Sequence, residues 1–195
     1  IRSFFVAPKD HSFITVDYSA MELRVLAHVA KDGRMQQAFT NGEDLHSYTA
    51  RLLFNKQKIT KEERQIAKTV SFLIVYGGGP FNLSETMGIS LKRAKKIISN
   101  YQNVYPGVFE YMEFVNGFIK SVVNRALRQG LNFTIQSAAS DILLCSLIGL
   151  HNKLVCTGME SRIVATVHDS VEIISPQDEV EKICEIIYDE MVNYP

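Results

Sequence analysis

The chain has 195 residues, enough for one good core or for one domain carrying a large insertion, and its 46% apolar and 22% charged content is that of an ordinary globular protein. No unbroken run approaches about eighteen apolar residues and no secretory leader pattern opens the chain, so neither a membrane span nor a signal peptide is expected. The net charge of zero hides a polarity: residues 51–100 hold ten Lys/Arg against three acids, and residues 156–195 hold two against nine. One part therefore suits a polyanion, and another gathers cations or is simply solvated. Cys145, Cys156 and Cys184 are an odd number at wide spacing with no CxxC pair, which fits reduced thiols in an intracellular protein better than a disulfide or zinc framework. The chain opens at Ile1 without an initiator Met and closes on Tyr194-Pro195, and so reads as a piece of a longer polypeptide.

In chain order, "SFITVDYS" (12–19) is a β-rich run ending at Asp17, and Met21, Leu23, Val25, Leu26 and Val29 then recur at helical spacing. Residues 44–54 form another helix. Thr60 followed by Glu63 is a capping-box pattern opening a helix over 61–76, which Gly77-Gly78-Gly79-Pro80 stops. Helices follow at 90–102 behind Ser90, at about 107–122 after Pro106, and at about 135–155. "TVHDSVEI" (166–173) reads as the inside of a β-hairpin, and a last amphipathic helix is expected over 176–193 with Pro176 in its first turn. Strands near both ends with helices between give an α+β fold: one small antiparallel sheet with helices packed on it and a helical insertion carrying the basic charge.

The hairpin tip is unusual in its chemistry. A tight turn prefers Gly, with Asp and Asn as second choices, yet here the tip carries His168, Asp169 and Ser170 with no Asn-Gly or Gly-Gly pair. Asp17 stands at a second strand end. If the first strand pairs beside the hairpin, the two carboxylates approach each other and need a cation between them. Two divalent ions bridged by carboxylates, about 3.5–4 Å apart, suit in-line attack on a phosphate, and hard oxygen donors suit Mg²⁺. Taken singly, the simpler readings are favoured: Asp17 as a helix cap and Asp169 as a turn filler. On the 61–76 helix, Arg64, Lys68, Phe72 and Tyr76 fall four apart, each displaced by about 40°, so they form a stripe about 18 Å long. Cations at one end and rings at the other match the polarity of a nucleotide. The alternative is that the rings belong to the core and the cations are solvated.

"VDYSAMELRVLAH", "RQIAKTVSFLIVYGGG" and "TVHDSVEI" occur in the order and at roughly the spacing of the three polymerase motifs of family A DNA polymerases. The resemblance extends through "EDLHSYTA", "YPGVFEYME" and "NFTIQSAASDI" to nearly the whole chain. It implies a right-hand polymerase, with a discontinuous palm over 1–31 and 124–195 and fingers over 32–123, acting on primer-template DNA and dNTPs as a monomer without a membrane. By that likeness Asp17 and Asp169, with the Tyr18 backbone carbonyl, would hold two Mg²⁺ ions. Arg64 and Lys68 would hold the triphosphate, with Lys68 donating a proton to the departing pyrophosphate and His46 assisting. Phe72 would lie by the sugar, Tyr76 near the templating base, and Glu22 where a ribose 2′-hydroxyl would go. Arg128, Asn132 and Gln136 would touch the minor groove of the duplex, and His168 the primer end.

The likeness also breaks in places. Ser170 stands where the family usually has Glu, for which tuning rather than loss is expected, and Ser71 and Leu73 stand where Asn and Gly are usual. After Val123 the family usually carries some tens of residues, whereas here Asn124 follows at once; either the chain is naturally shorter there or residues are omitted, and omission is the expectation. A catalytically silent nucleic-acid-binding module would need the cations but not the paired acids. A related single-subunit RNA polymerase would need room beside the sugar, where Glu22 stands.

Overall fold

The computed structural model describes residues 6–120 and 127–192, with the side chains of 118–120, 127–129 and 131 outside the description. The chain divides into two compact units, one formed by Ile1–Met21 with Ala138–Pro195 and the other by Glu22–Ser137.

The first unit holds the sheet. Strands β1 (His11–Asp17), β2 (Arg162–Val167) and β3 (Ser170–Pro176) lie in the order β1-β3-β2, so the last strand is central and antiparallel to both neighbours. Directly opposed residues share a face. Val16 opposite Val171 and Ile14 opposite Ile173 make one face apolar, and Val171 and Ile173 are fully buried. The other face carries Asp17 opposite Ser170, Thr15 opposite Glu172, and Phe13 opposite Ile174. Register shifts between Ile163 and Ala165, so Val164 is an extra residue in β2, a bulge that restores Ala165 to the side of Glu172.

The hairpin between β2 and β3 turns on His168 and Asp169 alone, because Val167 already pairs with Ser170. His168 takes φ 58°, and Asp169 is not among the residues with positive φ. A positive φ at the first central residue of a two-residue turn is where glycine is usual, and a side chain there costs on the order of 1 kcal/mol. Ser170 offsets part of this by donating from Oγ to the Val167 carbonyl at 3.0 Å.

The sequence expects the final helix from 176. Instead β3 runs through Pro176, which pairs with His11, and the Gln177 amide donates to the Asp10 carbonyl. That bond keeps the chain extended one residue longer, and only after a 3₁₀ turn over Gln177–Glu179 does the helix Val180–Val192 begin. Its Ile183, Ile186, Ile187 and Met191 are buried at helical spacing.

The second unit is helical: α1 (Met21–Val29, whose first residue belongs to the sheet unit), α2 (Gly33–Thr40), α3 (Leu45–Phe54), α4 (Lys61–Val75), α5 (Pro80–Met87), α6 (Leu91–Val104) and α7 (Pro106–Lys120). The start of α8 (Leu127–Thr157) belongs here and its remainder to the sheet unit, after which the helix Val180–Val192 is α9. The anticipated capping box opens α4, with Thr60 Oγ1 accepting the Glu63 amide and the Glu63 carboxylate accepting the Thr60 amide. The helix ends as a glycine permits: Gly77 at φ 68° donates to Ile74 O and Gly78 to Leu73 O, the paired bonds of a left-handed helix stop. Helices α2 and α5 were not anticipated. Asp32 caps the first with its side chain and also accepts the Gly107 amide, and Pro80 at the first turn starts the second. Buried Tyr105 bonds Thr49 through its hydroxyl at 2.7 Å and meets Tyr101 edge to face at 5.0 Å.

Helix α8 is longer than the expected 135–155. Its stretch Asn132–Thr157 is long and apolar enough to cross a membrane by length and composition, with mean hydropathy 1.5. A search for unbroken apolar runs passes over it because Ser137, Ser140, Asp141 and Ser146 interrupt it. Among its described side chains Ile135, Ala139, Leu143, Ser146, Leu150 and Leu154 are buried, one seam with a three- or four-residue repeat, as in a helix packed along one side. The three cysteines are free and exposed. The expected omission after Val123 falls outside the described residues.

Candidate polymerase site

In the sheet unit, Asp17 is the last residue of β1, paired with Ser170. The next amide, that of Tyr18, donates to the Asp169 carbonyl at 3.3 Å. The backbone that carries one acid is thus hydrogen-bonded to the backbone that carries the other, and both stand at the same end of the sheet. Asp17 is exposed and Asp169 half-buried, so neither is sealed from solvent. Behind them Tyr18 reaches Ser146 of α8 through its hydroxyl at 2.7 Å, and burial pushes that phenol above its ordinary pKa. Among the described residues no group of three or more His, Cys, Asp or Glu could cage a metal unaided. A pair of carboxylates at an open strand end is the donor set of a Mg²⁺ site that leaves its other positions to water and phosphate.

In the helical unit, the buried face of α4 is Ile66, Ala67, Val70, Ser71, Ile74 and Val75. Phe72 and Tyr76 are absent from it, and Tyr76 is 45% exposed. The rings therefore do not belong to the core, and the stripe Arg64, Lys68, Phe72, Tyr76 runs along the other side of the helix. Arg64 is already engaged: its Nε and Nη2 donate to Asp44 Oδ2 and Oδ1 at 2.8 and 2.9 Å. Asp44 caps α3 by accepting the Ser47 amide, and the Arg64 guanidinium holds its carboxyl well below the usual range. Lys68 is exposed.

His46 of α3 is buried, with its ring 5.9 Å from Phe72 at 47° and its Nδ1 without a hydrogen-bond partner. Burial pushes the imidazole below its ordinary pKa, and the charges of Arg64 and Lys68 act the same way against the opposing Asp44. The unfolded chain then binds more protons than the folded one as pH falls through about 6.5. Stability is therefore full above that pH and declines toward the lowered folded value. Denaturant unfolding at pH 7.5 and 5.5 should show this loss, and His46→Gln should flatten it; Asp44, lowered from about 4, acts only in more acidic solution. An unchanged slope in the variant would assign the effect elsewhere.

Tyr76 donates to the Glu22 carboxylate, its hydroxyl lying 3.1 and 3.0 Å from the two oxygens, and Gln136 Nε2 lies 3.4 Å from Glu22 Oε1. Burial first, and then the Glu22 charge, pushes the Tyr76 phenol up. Tyr76 and Gln136, expected to touch different parts of a nucleic-acid substrate, thus meet on the Glu22 carboxylate. Sequence spacing carries no signal for this cluster, because its members come from three helices. Asn132, one turn before Gln136, has a buried Oδ1 without a partner, and the Arg128 side chain lies outside the described residues. His168 is exposed at the hairpin tip.

The profile of DNA polymerase family A matches residues 1–121 and 115–194, and the chain belongs to that family. The two matched pieces overlap at residues 115–121. DNA polymerase I of Caldicellulosiruptor bescii is 36% identical over 99% of this chain and 26% of its own length. The enzymes of the same name from Lactococcus lactis and Pseudomonas aeruginosa are 34% and 31% identical over 94% and 95% of the chain. The chain spans about a quarter of the length of these relatives. Among solved structures, the POL domain of Pol1 from M. smegmatis, in complex with DNA primer-template and dNTP, superposes with TM-score 0.92 at 28% identity over 98% of this chain and 38% of that one. The α+β architecture of a small antiparallel sheet with helical elements is accordingly that of a family A polymerase domain.

Proposed function

We propose that the chain is the nucleotide-adding core of a DNA-directed DNA polymerase, which joins a dNTP to a primer 3′-hydroxyl on template DNA and releases pyrophosphate. The observation that carries this reading is the meeting of a strand end and a hairpin tip, which brings Asp17 and Asp169 to one end of the sheet in a chain of this family. Family membership alone would also fit a silent binding module, but such a module has no use for paired acids.

Asp17 and Asp169, with the Tyr18 carbonyl, would hold two Mg²⁺ ions, which would make the primer hydroxyl more acidic and neutralise charge on the triphosphate. The protein's own groups supply position and charge. Arg64 and Lys68 bind the triphosphate oxygens; as the primer 3′-oxygen, its proton released to water, bonds the α-phosphorus and the bond to pyrophosphate breaks, Lys68 passes its Nζ proton to the departing pyrophosphate oxygen and is reprotonated from solvent. His46 supports the phosphates, Phe72 lies against the sugar, and Tyr76 stacks near the templating base. Arg128, Asn132 and Gln136 track the minor groove, and His168 contacts the primer end. In this reading the sheet-bearing palm comprises 1–31 and 124–195, the fingers 32–123, and the enzyme works as a monomer.

The test is extension of a labelled primer by the full-length protein with dNTPs and Mg²⁺. Template-directed addition that stops on chelation is expected, and a folded protein that never extends would remove the proposal. Glu22 closes the space beside the sugar C2′. Glu22→Ala should raise ribonucleotide use relative to dNTPs by about 10–100-fold, read as the ratio of kcat/KM values. Tyr76→Phe keeps the ring but removes the bond to Glu22, and should shift the same ratio by less; unchanged ribonucleotide rejection in Glu22→Ala would remove that assignment.

A further inference from the structure

On the open face of the sheet, one rung behind the acid pair, stands a third carboxylate. Glu172 lies on the central strand, opposite Thr15 on one side and Ala165 on the other, and is only 7% exposed. Thr15 Oγ1 donates to Glu172 Oε2 at 2.5 Å, and Ser170 Oγ lies 3.2 Å from Oε1. The first is the length of a hydroxyl bonded to a charged oxygen. Both hydroxyls belong to immediate neighbours of Asp17: Thr15 is two residues back on its strand, and Ser170 is its cross-strand partner.

The site around this carboxylate is apolar. Phe13, Val164, Val167 and Ile174 line a recess of about 350 Å³ with Thr15 and Glu172 at its polar end. A charge placed there is poorly screened, and a buried charge is costly unless it is paired. None of the salt bridges among the described residues includes Glu172. The Thr15 hydroxyl satisfies one oxygen, the Ser170 hydroxyl divides its single proton between the Val167 carbonyl and the other, and neither brings positive charge. A Val or Ile at this position would suit the recess better if packing were the only demand. Among the described residues no counter-charge is paired with it, and a cation bound at the open end of the face, where the acid pair stands, would supply one. Two residues along a strand span about 7 Å, within the Debye length of about 8 Å at physiological ionic strength.

We infer that Glu172 is a positioning residue of the acid pair, which orients Asp17 through Thr15 and Ser170 and adds a third negative charge that tightens the hold on divalent cations. It does not touch the reacting atoms. This rests on the reading of Asp17 and Asp169 as metal ligands. Outer partners of metal ligands are worth about 10–100-fold in metal affinity when removed.

The experiment uses the full-length protein and Mn²⁺ as probe, with bound ion counted directly by electron paramagnetic resonance in the absence of nucleotide. Glu172→Gln should weaken Mn²⁺ binding about 10–100-fold and raise the half-saturating Mg²⁺ for primer extension in step, while the rate at saturating Mg²⁺ falls far less. Glu172→Asp should recover part of the affinity. A folded Glu172→Gln protein with wild-type Mn²⁺ affinity overturns the inference, as does a loss confined to thermal stability. Should that variant not fold, Thr15→Val carries the same test, since it keeps the charge but removes the shorter hydrogen bond: weaker Mn²⁺ binding supports the role and unchanged binding overturns it. Asp169→Asn separates the two readings. If it leaves Mn²⁺ binding untouched, the acid pair is not the metal site; if it weakens binding while Glu172→Gln does not, only the role of Glu172 falls.

Discussion

Asp169→Asn should slow nucleotide addition by at least about 10²–10³ while leaving primer-template affinity within a few-fold. The substitution keeps the size and shape of the side chain, and Asn is as acceptable as Asp in a tight turn. The two-residue hairpin, its Val167–Ser170 pair and the bond from the Tyr18 amide to the residue 169 carbonyl should all survive, so the change reads charge and little else. Single-turnover extension in saturating DNA gives the rate, and duplex binding without dNTP gives the affinity. Activity close to that of the parent would mean that this carboxylate holds no catalytic ion.

The second large effect is expected at the other end of the chemistry. Lys68→Ala should cut the chemical step by about 10²–10⁴, the range for removal of a positioned proton donor, again with little change in duplex affinity. Lys68 is exposed and lies off the buried face of α4, and Ala is the better helix former, so the variant should fold as well as the parent. A proton donor also leaves a signature in the pH–rate profile: the basic limb, present in the parent, should be gone in the variant. Equal losses in rate and in duplex affinity would instead describe a lysine that merely attracts DNA.

Much of this arrangement can be read from local pattern. Thr60 with Glu63 announces the start of α4, Ser90 that of α6, and the triple glycine the end of α4, because caps and breakers act within one turn of chain. The strand ending at Asp17 and the hairpin at His168-Asp169 follow from alternation and length. Helix α5 escapes because it begins directly behind the residues that stop α4, where Gly and Pro read as loop. Helix α2 escapes because its capping group, Asp32, draws its support from the Gly107 amide, 75 residues away. The late start of α9 depends on the pairing of Pro176 with His11, which no local pattern contains. The site divides in the same way. The stripe on α4 is a property of one helix and is legible, whereas the meeting of Glu22, Tyr76 and Gln136 requires tertiary structure. Glu172 looks like the solvent side of an alternating strand, and only the pairing with Thr15 shows it buried.

The clasp between Arg64 and Asp44 bears on how an anion is captured. Both partners are more than 40% exposed, and an ion pair so open to water contributes no more than about 1 kcal/mol. If Arg64 binds the triphosphate as proposed, a polyphosphate approaching α4 would exchange one acidic partner for another at a guanidinium already held extended by Asp44, with little side-chain entropy left to lose on arrival. The same exchange would release Arg64 from the carboxylate that caps α3, so the helix bearing His46 would register the newcomer through its first turn.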